Sequence, residues 1–183
     1  MKNIVKISVG VFSSVLILAV LSAGIYFYLA GSQQAKPDRG KEILKVKEES
    51  TPAGGKIIEV AEKRKEPIEK EFPMEMDEYE VQDAIHGMTH QKIIADDKWG
   101  FIPLTKDRVE RLISVVEKNE TNYEKSELYM HILNRWLKNN FSEIDKEHNE
   151  IWRLQEGNVG EATGIMSAEE EKAFIEEHYE IEE

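Results

Sequence analysis

Residues 123–138 read YEKSELYMHILNRWLK. Within them Leu128, Tyr129, Ile132, Leu133, Trp136 and Leu137 recur at helical spacing and lay a stripe two residues wide along one side of an α-helix. This is the strongest core signal in the chain. It predicts a helix from about Tyr123 to Lys138, buried against others of its kind.

Working outward, the flanking residues predict those others. On the C-terminal side Ser142, with Asp145 at the third helical position, opens a helix carrying Ile144, Ile151 and Trp152. Gly157, Gly160 and Gly164 punctuate a loop, and Ser167 with Glu170 forms a capping box ahead of Ala173, Phe174, Ile175 and Tyr179. On the N-terminal side Thr105 caps a helix whose Val109, Leu112, Ile113 and Val116 share a face and which ends near Asn119. Between Lys92 and Leu104, Asp96, Asp97, Gly100 and Pro103 surround Trp99 and Phe101, which predicts an irregular connection or a short hairpin. Asp77 with Glu80 starts a first helix, whose Val81, Ile85 and Met88 line one side. The expected fold is all-α: a compact acidic bundle of about five short helices over residues 72–183. A chain of that length buries about 65% of its unfolded surface, enough for a core without metal or disulfide.

The preceding residues differ in character. Residues 1–71 carry a net charge of +3 and residues 72–183 one of −15, giving −12 for the 183-residue chain. Residues 31–71 read as a flexible charged linker, because Gln33, Gln34, Pro37, Gly40, Pro52, Gly54, Gly55 and Pro67 interrupt any long pattern. Lys56 to Val60 is expected to form a transient strand or helix at most, with too few apolar neighbours to build a core.

Residues 7–30 contain no charged side chain. At about 1.5 Å per residue a helix of that length crosses a hydrocarbon core of about 30 Å. Tyr26 and Tyr28 fall where the headgroups would lie. A cleaved signal peptide is the alternative, with Leu21-Ser22-Ala23 as its cleavage site, but that site sits inside the apolar run and a signal core is shorter. The expectation is a single-pass anchor in the cell membrane behind a short basic tail, residues 1–6, with the C-terminal domain outside the cytoplasm. Lys36, Arg39, Lys41, Lys45 and Lys47 just beyond the anchor pull the other way under the positive-inside rule.

Chemistry is sparse. With no Cys there is no thiolate metal site, redox pair or disulfide, and the acidity argues against nucleic acid. Asp83, His86 and His90 share one helical face at a spacing that suits a transition metal. The hydrolase motif HExxH is incomplete, since Gly87 stands where its Glu would be. Asp145 and His148 repeat the Asp-x-x-His spacing on a second helix, as in di-metal bundles, which need further bridging Glu residues. Buried or surface structural histidines are the plainer account. The glycines of residues 157–164 lack the Lys-Ser/Thr pair of a phosphate loop, and Glu161 would repel an anion. Eight Glu and one Lys over residues 169–183 read as a solvated helix face. No catalytic residue and no cofactor are assigned; a transition metal on the histidines is the minor reading, and no loop of alternating oxygen ligands offers a calcium site. Trp99 and Phe101 are candidate binding-surface residues in a connection.

Several short blocks, Phe72-Pro73-Met74, Val81 to His86, Met88 to Lys92, Lys98-Trp99-Gly100, Trp152 to Gln155 and Gly164, resemble a family of small membrane-anchored proteins of Gram-positive spore-forming bacteria. The resemblance spans about Phe72 to Tyr179 and implies the anchor-plus-domain layout. That family is itself of unknown function, so the resemblance implies no activity, ligand or catalytic residue.

The resulting expectation is a membrane-tethered helical interaction module facing the cell envelope. Its acidic surface would favour an unidentified protein partner with a basic face. The alternatives are a metal-dependent enzyme or metal sensor built on the histidines, and a cytoplasm-facing regulatory module.

Overall fold

The computed structural model describes residues 43–50 and 56–182. The basic tail and the membrane helix expected over residues 7–30 lie outside these residues. Among the described residues no helix is long and apolar enough to cross a membrane.

Six helices appear among the described residues. α1 (Ile68–Glu71) is a single turn, followed by α2 (Glu78–Thr89), α3 (Lys106–Lys118), α4 (Ser126–Trp136), α5 (Ile144–Leu154) and α6 (Ala168–His178). Both expected capping boxes form. Asp77 accepts from the Glu80 N–H while Glu80 accepts from the Asp77 N–H, and Ser167 with Glu170 repeats the exchange at α6. Thr105 stands at the N-cap of α3 without a side-chain capping bond. Ser142 does not cap α5, which starts two residues later; its hydroxyl donates to Asn140 Oδ1 instead.

The Leu128–Leu137 stripe is central, with Tyr129, Ile132, Leu133 and Trp136 fully or almost fully buried. They join Val81, Ile85 and Met88 of α2, Leu112, Val115 and Val116 of α3, and Ile144 and Ile151 of α5 in one core.

The all-α expectation needs correction, and the spacer is where it fails. β1 (Ile43–Ser50) and β2 (Lys56–Glu62) pair antiparallel from Leu44↔Glu62 to Ser50↔Lys56, and β5 (Glu180–Ile181) adds to β1 in parallel. Leu44, Ile58 and Val60 are buried against Phe174, Ile175 and Tyr179 from the end of α6, forming a second core. The apolar residues of this hairpin are too few for a core of their own, as the sequence implies. Their partners come from the other end of the chain. Charged groups staple the sheet to the helices: Arg64, just past β2, bonds Asp107 and Glu71, Arg108 bonds Glu62 and Glu71, and Lys92 bonds the Ile58 carbonyl of β2 as well as Glu171 of α6.

The connection around Trp99 is held at both ends. β3 (Ile93–Ile94) pairs with β4 (Gly164–Ile165), a long-range pairing instead of a local hairpin. Gly160 has φ +87°, and a Cβ there would lie 2.6 Å from the Asp97 carbonyl oxygen, so this glycine lets the 157–164 loop press onto the 95–103 connection.

Candidate metal centre

α2 buries Val81, Ala84, Ile85, Met88 and Thr89, which leaves His86 and His90 one turn apart at its C-terminal end facing α5. His148 sits in the middle of α5, in line with buried Ile144 and Ile151. The two helices pack so that the three rings meet. Ring centroids lie 4.9 Å apart for His86–His90, 4.5 Å for His86–His148 and 5.5 Å for His90–His148. One ligand nitrogen from each lies within 4.8 Å of the other two. His148 is 0% exposed and His90 4%, while His86 is half-buried at the edge of the cluster.

Each ring is oriented by an oxygen at Nδ1. His90 Nδ1 lies 2.7 Å from the Gly100 carbonyl, which can only accept, so Nδ1 carries the proton and the Nε2 lone pair is free. His86 Nδ1 meets Gln155 Oε1, and the Gln155 amide is oriented by donating toward Asp83 Oδ1 at 3.4 Å. His148 Nδ1 lies 2.7 Å from Thr89 Oγ1, whose hydroxyl also reaches the His86 carbonyl at 2.6 Å. His148 differs in having its second nitrogen engaged as well, since Nε2 donates to the Gly160 carbonyl at 3.0 Å.

Burial sets the protonation state. Loss of water around His90 pushes its pKa down to about 3, with the neighbouring imidazoles and Lys98 adding to the effect. His148 falls to about 4, first from burial and then from His86. His86 is also lowered by burial, against the opposing pull of Gln155 and Asp83. Three neutral imidazoles at neutral pH are three nitrogen donors. Lys98 borders the cluster, donating to the His90 carbonyl at 3.0 Å, and burial lowers its own pKa to about 8.

Gly87 also shapes the site. A Cβ there would come within 3.1 Å of Ile102 Cγ1, and the Gly87 carbonyl accepts from the Ile102 N–H. The missing side chain lets residues 100–102 lie on α2, which delivers the Gly100 carbonyl to His90.

Of the residues singled out in the sequence, the structure thus brings together His86, His90 and His148. Asp83 stands behind Gln155, one residue further from the rings, and Asp145 is not among the grouped donors. Thr89, Gly100, Gln155 and Gly160 were not foreseen. Three of them act through main-chain or amide oxygens and carry no sequence signature. Trp99 is 74% exposed, whereas Phe101 packs on Phe174 and His178, with centroids 5.2 and 4.4 Å away.

No curated protein and no solved structure matches the chain. A family match does exist, described as "Family of unknown function (DUF6241)", and it runs over residues 85–176, from within α2 to near the end of α6. It takes in all three histidines, the C-terminal part of α2 and the whole of α5, covers half of the chain, and so the chain belongs to that family.

Proposed function

We propose that this protein is a membrane-tethered transition-metal-binding module, in which one ion bound by His86, His90 and His148 ties α2 to α5. The carrying observation is the convergence of three neutral imidazoles from two helices, two buried and His86 half-buried, each with Nδ1 already on an oxygen. Metal-ligating histidines characteristically spend their second nitrogen in this way. A set of nitrogens without a carboxylate suits zinc, copper, nickel, cobalt or iron, and not magnesium or calcium. Bond lengths of about 2.0–2.1 Å place ligand atoms about 3.3 Å apart, inside the 4.8 Å that encloses these nitrogens, so binding would draw the rings together.

The reading is of a sensing or fold-stabilising site. Gly87 replaces the general base of the HExxH hydrolases, and His90 and His148 are enclosed. Residues 7–30 supply the membrane anchor in this reading, with the domain outside the cytoplasm. An interaction module is the second reading. It is favoured by Trp99, a large apolar side chain left 74% exposed on an acidic domain, which would present it to a basic partner.

Elemental analysis of the untagged full chain, purified in detergent after exposure to zinc, copper, nickel or cobalt, tests the metal. We expect one ion per chain, lost in His86→Ala and in His148→Ala. Protein that stays metal-free, or variants that keep the ion, would overturn the reading. Protease digestion of intact protoplasts tests the orientation: the domain is cleaved if outside and protected if inside.

A further inference from the structure

We infer that the main-chain carbonyl oxygen of Gly160 is the fourth ligand of this centre, which makes it a closed three-nitrogen, one-oxygen site. The inference rests on the metal-binding reading above and adds its last coordination position.

Three observations carry it. First, the carbonyl already lies 3.0 Å from His148 Nε2. Two neighbouring ligands at about 2.0–2.1 Å from a tetrahedral ion are themselves about 3.3 Å apart, so oxygen and nitrogen are nearly at ligand separation. Second, the chain on both sides of that oxygen is held. Trp152 Nε1 donates to the Val159 carbonyl at 2.7 Å, Asn149 Nδ2 donates to the Ala162 carbonyl at 2.9 Å, and Asn149 Oδ1 accepts from the Ala162 N–H at 2.7 Å. Both donors belong to α5, the helix that carries His148, so the loop and the ligand move together.

Third, the protons balance. In the metal-free protein Nε2–H donates to Gly160 and Nδ1 faces the Thr89 hydroxyl. When the ion takes Nε2, the proton relocates to Nδ1 and is donated to Thr89 Oγ1. The Thr89 O–H, which had faced His148 Nδ1, turns to donate to the His86 carbonyl, 2.6 Å away. All three histidines then share one arrangement, Nδ1–H on oxygen and Nε2 on the metal. No proton is released, and the ion, standing about 1.4 Å off the 3.0 Å line between Nε2 and the oxygen, joins His148 to Gly160 as the hydrogen had done.

The chain contains one Gly-Glu dipeptide, Gly160-Glu161. Full-length protein labelled with carbonyl-¹³C glycine and ¹⁵N glutamate therefore shows the Gly160 carbonyl as a single one-bond correlation in NMR. Zinc is added to one equivalent, with retention measured by elemental analysis. We expect this carbonyl to move downfield, as coordination draws electron density from it. Zinc retained with an upfield or unmoved carbonyl would overturn the inference and leave the three-histidine site standing. Zinc not retained would overturn the metal-binding reading and this inference with it. As a second measurement, the visible spectrum of the cobalt(II)-loaded protein should not respond to azide, because no water-filled position is left to exchange; an azide-dependent shift would count against the closed site.

Discussion

His90 and His148 show at the scale of single residues how burial becomes pH dependence. Both are held well below the 6.5 of an exposed imidazole, at about 3 and about 4, because the enclosed site penalises the cation. Between those values and 6.5 the unfolded chain binds protons that the folded chain refuses. Stability of the metal-free protein therefore falls as pH drops from about 6.5, by up to about 1.4 kcal/mol per pH unit for each histidine. Denaturant midpoints between about pH 7 and pH 5 check this, and His90→Asn should flatten the slope. Gly160 gives a second prediction. Gly160→Ala combines a positive φ with a Cβ 2.6 Å from the Asp97 oxygen, and should cost about 1–3 kcal/mol in thermal or denaturant unfolding.

Among the elements, those with local signals were legible. The Asp77–Glu80 and Ser167–Glu170 boxes mark helix starts within four residues, and the Leu128–Leu137 stripe marks its helix by periodicity. The β1–β2 hairpin was not legible as an ordered element. Its buried side chains are Leu44, Ile58 and Val60, and the residues that cover them, Phe174, Ile175 and Tyr179, lie more than a hundred positions away. The candidate site divides in the same way. His86 and His90 declare themselves by spacing, and His148 by a repeated Asp-x-x-His, but the oxygens that orient the rings belong to a hydroxyl, an amide and two main-chain carbonyls. Lys92 ties these distant elements together, bonding Glu171 of α6 and the Ile58 carbonyl of β2. Glu171→Leu strips the buried Lys92 ammonium of its bonded carboxylate and Gln91 of its acceptor and should cost about 3–5 kcal/mol, while adding Lys92→Met recovers part of that loss in chemical denaturation.

For the molecule as a whole, the residues that fold together begin before the acidic region does. A fragment starting at Phe72 matches the shift in charge but omits β1 and β2, uncovering Phe174, Ile175 and Tyr179 and removing Glu62 and Arg64 from their ion pairs. We expect residues 72–183 to melt at lower temperature than residues 41–183 and to bind a hydrophobic dye that the longer chain ignores. Equal melting curves and equal dye binding would show that the hairpin is dispensable.

β1 and β5 run side by side, with Ile43 opposite Glu180 and Leu44 opposite Ile181. The backbone thus arrives at and departs from the folded unit at neighbouring points. A unit built this way can be spliced into a surface loop of a carrier protein as a cassette, without long spacers to bring its ends together.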